Sequence, residues 1–412
     1  MLSEEQKLHL NTILNFNEKG ALIVIGSAGA GKSTLLKSVQ DADNRVVTLA
    51  PTGIAALNAR GVTLHSFFGI KPSGATFKMK HNNVKALKNA SKILIDECSM
   101  VSAILLEQIN EIMQNTLKNH LPFGGKPIVF FGDLAQIEPV LKEDEKEFVR
   151  ENYDSHFFFD SPTLKLIPSK IIRLNKIYRQ AGDIPFIEAL QAIRDGKTHL
   201  LQTFNDRIDL PHEDSMRITY TNRKSSEINA LKLSALQGQQ YVSTAKVTGD
   251  FVESDYPTEE KVYFKVNSRI MLLSNDKEAG YVNGDTAEIV DLQPGSVIAR
   301  LDRDNKLVVV KKYTWEKVAF DSVNGEITEN VIGTFEQVPF KLAYSCSTHK
   351  IQGKTIPGKV HLELDTKTFA HGLLYVALSR ATKLENLTIG RRIYPDDIII
   401  HPRVKEWYSN NS

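Results

Sequence analysis

Apolar residues in the first half of the chain cluster in short runs with little alternation. These are ALIVIG (Ala21 to Gly26), RVVTLA (Arg45 to Ala50), KILIDE (Lys92 to Glu97), KPIVFFGD (Lys126 to Asp133) and KIIRL (Lys170 to Leu174). Such runs, rich in Val and Ile, predict strands buried on both faces of a parallel sheet. Helical spacing over Ser33 to Val39 and Ser102 to Leu117 fills the gaps, so the region reads as a doubly wound α/β domain. A second set of strand candidates follows in MRITYT (Met216 to Thr221), KLAYSCS (Lys341 to Ser347), KVHLEL (Lys359 to Leu364) and NLTIGR (Asn386 to Arg391). Between about Tyr241 and Gln337 the strands are short and separated by turn signals such as Asn283-Gly284 and Pro294-Gly295. That pattern predicts a small antiparallel barrel inserted in the second domain. No repeat of 20–50 residues and no low-complexity tract interrupts it.

Composition narrows the class. The 412 residues are 42% apolar and 24% charged, an ordinary globular balance with room for two to four domains. Fifty-one Lys and Arg against 49 Asp and Glu give a net charge of +2, so any nucleic acid must be gripped locally rather than by a global field. Two cysteines, Cys98 and Cys346, cannot build a disulfide scaffold or a four-thiolate zinc site, and point to a reducing compartment. The opening MLSEEQKLHL resembles neither a secretory signal nor a transit peptide, and no run approaches a membrane span. The expectation is a cytoplasmic, bacterial-type, nucleoid-associated chain with no membrane partner.

Gly26-Ser27-Ala28-Gly29-Ala30-Gly31-Lys32-Ser33 fits G-x-x-x-x-G-K-[ST] between a predicted strand and a predicted helix, the context a P-loop requires. Its glycines let backbone N–H groups approach phosphates, Lys32 neutralises the β/γ oxygens, and the Ser33 hydroxyl takes a Mg²⁺ position. Asp96-Glu97 closes a buried strand at the end where ligands collect in open sheets. Asp96 would hold Mg²⁺ through water and Glu97 would polarise the attacking water. Taken alone the pair reads as a solvent-facing strand end; the P-loop alters that reading. Gln136, in GDLAQ, follows another buried strand and is a candidate sensor of the γ-phosphate, although a capped turn would look the same. Charge developing on a transferred phosphoryl group favours Arg, whose fork contacts two oxygens, and Arg179 and Arg380 are the candidates.

The ordered segments resemble a superfamily-one, group B helicase, most closely the Pif (petite-integration-frequency) family. The matching strings are LSEEQ (Leu2 to Gln6), GSAGAGKST (Gly26 to Thr34), APTGIAALN (Ala50 to Asn58), LHSFFG (Leu64 to Gly69), IDECSM (Ile95 to Met100) and LPFGGKPIVFFGDLAQIEPV (Leu121 to Val140). YRQ (Tyr178 to Gln180), TYTN (Thr219 to Asn222), VNGD (Val282 to Asp285), STHKIQGKT (Ser347 to Thr355) and YVALSRA (Tyr375 to Ala381) continue the order. The resemblance implies two RecA-like P-loop domains with parallel sheets and ATP bound between them. The first domain would span residues 1–165, with a small wedge insertion at about 69–91. The second would comprise 166–240 and 338–412, and the barrel, similar to the Src-homology-three fold, 241–337.

The same resemblance implies that Gln6 recognises adenine and that Gly29, Ala30, Gly31, Lys32, Ser33, Thr34 and Gly353 contact ATP with Mg²⁺ at Ser33 and Asp96. Arg179 and Arg380 would act as arginine fingers in cis. Single-stranded DNA would meet Thr52, Gly53, His65, Ser66, Phe77, Thr221, Asn222, Thr348, His349, Lys350 and Gln352, with Gln352 and Gly353 coupling the DNA and ATP sites. Departures from the family are Glu138-Pro139 where two prolines are common, Cys98 in place of Ile or Val, no Trp near Tyr344, and no Arg between Met100 and Leu121.

Some residues have plainer readings. His65 and His349 in isolation would be ordinary loop histidines, Phe157-Phe158-Phe159 a core segment rather than a stacking platform, and Cys98 a small buried hydrophobe. Gly69 to Ser91 carries five lysines (Lys71, Lys78, Lys80, Lys85 and Lys88), His81 and Phe77 but no acid, which fits either a solvated basic loop or a wedge at the duplex junction. The function that the resemblance implies is a monomeric ATP-dependent 5′ to 3′ DNA helicase on single strands and their junctions with duplex, serving replication, repair, recombination or telomere maintenance. Single-strand-binding or replication proteins are candidate companions. The alternatives are a RecD-like subunit, which the lack of a sizeable extension before Gln6 opposes, and a nucleotide switch that binds DNA without unwinding it.

Overall fold

The structure, a computed structural model, describes residues 2–70, 79–323, 326–356 and 358–411. Two compact units divide the chain: Met1–Tyr178 with Lys317–Ile332 and His401–Ser412, and Arg179–Glu316 with Gly333–Ile400.

The first unit is built on a parallel sheet of β1 (Ala21–Gly26), β2 (Val46–Ala50), β3 (Val62–Thr63), β4 (Lys92–Ile95), β5 (Ile128–Gly132) and β6 (Ser169–Leu174), in the order β3-β2-β4-β5-β1-β6. β1 is buried along its whole length because helices cover both faces. Leu22 and Val24 face a core shared with Ile13 of α1 (Glu4–Asn15) and Leu35, Leu36 and Val39 of α2 (Lys32–Ala42). Burial of each such side chain contributes roughly 1.5–3 kcal/mol. α1 starts at a capping box in which the Ser3 hydroxyl accepts from the Gln6 N–H and the Gln6 side chain accepts from the Ser3 N–H. α3 (Gly53–Asn58), α4 (Leu64–Phe68), α5 (His81–Asn89) and α6 (Ala103–Leu117) are further helices of this unit. Phe157, Phe158 and Phe159 are all buried, Phe158 stacking on Phe130 of β5 at 4.7 Å, as expected of a core segment.

The division into units differs from the sequence expectation in several places, and Lys317–Ile332, within the expected insertion, falls in the first unit. β6 pairs in parallel with β1 from Ala21↔Ser169 to Gly26↔Leu174, so residues 166–178 belong to the first unit, not the second. The C-terminal helix Pro402–Asn410 belongs there too. Arg403 donates through Nε and Nη2 to the buried carboxylate of Asp160, Trp407 packs on Phe159, and Arg173 donates to the Asn411 carbonyl. Sequence distance hides such contacts, because an ion pair across more than 200 residues leaves no local pattern.

Of the basic 69–91 segment, Lys71, Phe77 and Lys78 lie outside the described residues. α5 anchors the rest by burying Asn83, Ala86 and Leu87, with Asn83 Nδ2 donating to the Phe67 carbonyl at 2.9 Å, while Lys85 and Lys88 are exposed.

The second unit contains a parallel sheet in the order Ser345–Ser347, Met216–Thr219, Val360–Leu362, Leu387–Ile389. Antiparallel strands recur among the described residues of this unit between Tyr241 and Leu342, as the turn signals predict, and the largest of their sheets runs Leu307–Lys311, Ser296–Leu301, Thr286–Gln293, Arg269–Leu272, Phe340–Leu342. Strict alternation of buried and exposed residues along Leu307–Lys311 sends Val308 and Val310 into the apolar core. The run KLAYSCS, expected as one strand, divides: Phe340–Leu342 closes the antiparallel sheet and Ser345–Ser347 joins the parallel one. The inserted sheet therefore extends past residue 337. Among the described residues no helix is long and apolar enough to cross a membrane.

Asp160 is 1% exposed. Burial alone would raise its pKa, but hydrogen bonds from Arg403, Ser155 and Lys165 reverse this and hold the carboxyl below its ordinary value. A lowered folded pKa stabilises the fold above the ordinary carboxylate range, and that stability is lost as pH falls through it. Arg403→Ala is expected to cost about 2 kcal/mol in urea denaturation at pH 7, with the difference from wild type shrinking under acid conditions.

Candidate functional site

Parallel pairing brings the C-terminal ends of β1, β4 and β5 to one edge of the first sheet. The P-loop follows β1, and Gly29 and Gly31 adopt φ of 82° and 84°, a left-handed backbone open to glycine at little cost. A Cβ on Gly31 would also come within 2.4 Å of Gln6 Nε2 and 3.6 Å of the Tyr178 ring. The Lys32 ammonium donates to the carbonyls of Gly26 at 2.7 Å and Ser27 at 3.1 Å, curled within the loop, while Ser33 and Thr34 are exposed on the first turn of α2. Gln6 Nε2 donates to the Gly31 carbonyl at 3.4 Å, so the capping box of α1 places this amide against the loop.

Asp96 follows β4 and is only 7% exposed. Burial, then the adjacent Glu97 charge, pushes its carboxyl up to about 7, against the opposing pull of Lys32 and Lys37. Glu97 has φ 48° and ψ 46°, an unusual left-handed conformation for a residue with a side chain, and strain of this kind collects at functional positions. Gln136 lies in the turn after β5, 4% exposed, and its Oε1 has no hydrogen-bond partner among the described residues. A buried acceptor oxygen in that state suits a water whose hydrogen needs an acceptor. Asp133, wholly buried, accepts from the Ala135 N–H and the Tyr408 hydroxyl, which fixes the turn.

The donor chemistry suits a hard divalent cation: the Ser33 hydroxyl and the buried Asp96 carboxyl would offer oxygen ligands, and an opposing positive charge would reverse the raised Asp96 pKa. Mg²⁺ there would neutralise charge on the β/γ phosphate oxygens.

Tyr178 is the residue that sequence reasoning passed over. Its N–H donates to the Gly29 carbonyl at 2.9 Å, its exposed ring lies against the loop, and Lys176 sits 5.3 Å above that ring. The signal was an aromatic residue next to the Arg candidate in YRQ. Cys98 is fully buried, its Sγ against Gly132, and burial pushes its thiol well up, as expected of a packing residue.

On the same unit, Thr52 and Thr63 cap α3 and α4 by accepting from the N–H groups of Ala55 and Ser66. These caps leave Gly53, His65 and Ser66 partly exposed while Leu64, Phe67 and Phe68 enter the core. Burial lowers the pKa of His65. Phe77 lies outside the described residues.

In the second unit, Thr221 and Asn222 follow Met216–Thr219, and Thr348, His349 and Lys350 follow the neighbouring parallel strand Ser345–Ser347. Thr221 caps its helix at Lys224 N–H, the Ser347 hydroxyl donates to Asn222 Oδ1 at 2.5 Å, and the buried Thr348 hydroxyl donates to the Thr219 carbonyl. Lys350 is exposed and burial lowers the His349 pKa. Arg179 and Arg380 meet at Ser379. Arg179 donates to its carbonyl at 3.1 Å and Arg380 to its hydroxyl at 2.7 Å, with Gln180 bonding the Ser379 and Ala381 carbonyls. Arg380 is wholly buried and also donates to the carbonyls of Val376, Lys354 and Ile351, which ties it to the Gln352-Gly353 turn. Gln352 is buried and Gly353 exposed.

Residues 1–203 match the family model for PIF1-like helicases. A crystal structure of Pif1 from a Bacteroides species in complex with ADP-AlF4 superposes with a TM-score of 0.90 at 31% identity, covering 100% of this chain and 97% of that one. The chain belongs to the PIF1-like helicase family. The Bacteroides Pif1 bound to single-stranded DNA matches at 32% identity and a TM-score of 0.71 over 100% of this chain and 97% of that one. The ATP-dependent DNA helicase PIF1 of Danio rerio is 30% identical over 94% of this chain and 61% of its own length. Pif1 of Bdellovibrio bacteriovorus is 28% identical over 99% of this chain and 91% of its own. The chain thus spans about three fifths of the fish PIF1-like helicase and most of the bacterial one.

A raised folded pKa at Asp96 means that the folded protein keeps a proton the unfolded chain releases between the ordinary 3.8 and about 7, so this carboxyl lowers stability as pH rises through that window. In the nucleotide- and magnesium-free protein, Asp96→Asn is expected to raise the melting temperature at pH 8 and leave it nearly unchanged at pH 4, as read by calorimetry.

Proposed function

We propose that this chain is an ATP-dependent DNA helicase that moves 5′ to 3′ along single-stranded DNA and separates duplexes at their junctions. The observation that carries the reading is the convergence of Lys32, the buried Asp96 with Glu97, and the acceptor oxygen of Gln136 on one sheet edge, in a chain of the PIF1-like family. Lys32 and Ser33 hold the phosphates and Mg²⁺ with Asp96, Glu97 activates water, and Gln136 reports on the γ-phosphate. Gln6 and the loop residues Gly29, Ala30, Gly31 and Thr34 complete the nucleotide pocket. Arg179, which follows directly on the loop-bound Tyr178, and Arg380 stabilise the charge on the transferred group, with Gly353 beside them.

Each unit carries its own candidate DNA contacts. Thr52, Gly53, His65 and Ser66 serve the first, with Phe77 in its basic insertion, and Thr221, Asn222, Thr348, His349, Lys350 and Gln352 serve the second. Alternating grips coupled to hydrolysis give directional movement, and phosphate contacts make binding sequence-tolerant. The setting is cytoplasmic DNA metabolism on the nucleoid, with the chain acting as a monomer beside single-strand-binding or replication proteins.

Lys32→Ala, Glu97→Gln and Arg380→Ala should each lower DNA-stimulated ATPase at least about a hundredfold, the second without loss of ATP binding. Turnover indifferent to single-stranded DNA would instead favour a nucleotide switch. Duplexes with a 5′ single-stranded tail should open while those with a 3′ tail remain closed, and opening of 3′-tailed duplexes alone would reverse the polarity.

A further inference from the structure

Glu138, His156 and His401 converge from three separate segments of the first unit. Glu138 lies beyond the turn after β5, His156 between the helix Glu143–Asn152 and the Phe158 turn, and His401 at the N-cap of the C-terminal helix. One donor atom from each side chain lies within 4.8 Å of the other two. His156 Nε2 and Glu138 Oε2 are 3.1 Å apart, near the edge of a tetrahedron of ligands held about 2.0–2.1 Å from a zinc-sized ion. All three residues are half-buried, so the donors are shielded yet reachable.

Packing fixes both rings. His156 lies nearly flat on the wholly buried Phe157 at 4.4 Å, and His401 meets the same Phe157 ring edge-on at 5.0 Å and His156 at 5.3 Å. A site needs little rearrangement when its ligands are already held this way.

We infer that Glu138, His156 and His401 form a binding site for a borderline divalent transition-metal ion of the zinc, cobalt or nickel class, with solvent completing the coordination. Two imidazole nitrogens and one carboxylate match those ions, whereas Mg²⁺ and Ca²⁺ prefer all-oxygen shells. His156 ligates through Nε2 as the Nδ1–H tautomer, so its contact with Glu138 is replaced by a shared cation. His401 Nδ1 accepts from the Arg403 N–H at 3.2 Å, so this ring ligates through Nε2 and exchanges its helix cap for the metal. Competition between cap and metal makes the site reversible, unlike a closed structural zinc centre. Glu138 lies two residues beyond Gln136, so an occupied site ties the turn that carries Gln136 to the C-terminal helix.

The test is titration of the metal-stripped full chain with Co²⁺, in excess Mg²⁺ and ADP that occupy the phosphate site, followed by visible absorption and calorimetry. One Co²⁺ per chain is expected, with the spectrum of a nitrogen and oxygen site and displacement by Zn²⁺. Glu138→Gln and His156→Ala should each weaken uptake at least about tenfold. His401→Asn should do the same while keeping a capping side chain and hence the melting temperature of the metal-free protein. Absence of uptake up to millimolar Co²⁺, affinity unchanged in all three variants, or thiolate charge-transfer bands that place the ion on a cysteine would each overturn the site.

Discussion

In a sheet whose strands all run the same way, every loop that follows a strand leaves from the same edge. The first unit depends on this constraint. β4, β5 and β1 are neighbours in one parallel sheet, so the acidic pair, the Gln136 turn and the P-loop must emerge side by side, although about 100 residues separate the first from the last in sequence. Burial then makes the edge costly. Asp96 resists ionisation, Glu97 is held in a left-handed backbone, and the Gln136 Oε1 is buried with no hydrogen-bond partner among the described residues. A raised carboxyl pKa, a left-handed backbone and a buried acceptor each oppose stability, which is the usual physical form of a site selected for binding rather than rigidity.

The second unit repeats the device with fewer strands. Thr221-Asn222 and Thr348-His349-Lys350 follow adjacent parallel strands, and the Ser347–Asn222 hydrogen bond joins the two turns directly. Behind Thr221, Tyr220 bonds Thr368, which reaches Asp397, itself clasped by both terminal nitrogens of Arg391. Arg380 differs in kind: a buried guanidinium donates to three backbone carbonyls and a hydroxyl and so holds the Ile351–Lys354 turn.

The two histidines of the cluster Glu138, His156 and His401 share one support, Phe157. This ring sits under both histidines, and its neighbour Phe158 stacks on β5 itself, so the hydrophobic segment Phe157-Phe158-Phe159 sets the position of polar groups it never bonds. The Asp160–Arg403 pair closes the same corner by bringing in the C-terminal helix. A core segment thus becomes the floor of a surface site through packing alone.

By itself, the sequence was sufficient for the parallel strands, the P-loop, the acidic pair, the antiparallel insertion and the family, because each is written in contiguous residues: unbroken apolar runs, glycines at fixed offsets, Asn-Gly and Pro-Gly turns. Phe157 to Phe159 and Cys98 were legible as core for the same reason. What it left undecided depends on residues far apart in the chain. β6 reads equally well as the last strand of one domain or the first of the next, and only its register with β1 assigns it. The run Lys341 to Ser347 looks like one strand, yet it serves two sheets. The Tyr178 ring against the P-loop, the shared Ser379 anchor of Arg179 and Arg380, and the meeting of Glu138 with His156 and His401 arise only when the chain is folded back on itself. Local patterns report which face of an element is apolar; they carry no record of which distant side chain will lie opposite, and that choice is made by packing and hydrogen-bond satisfaction in three dimensions.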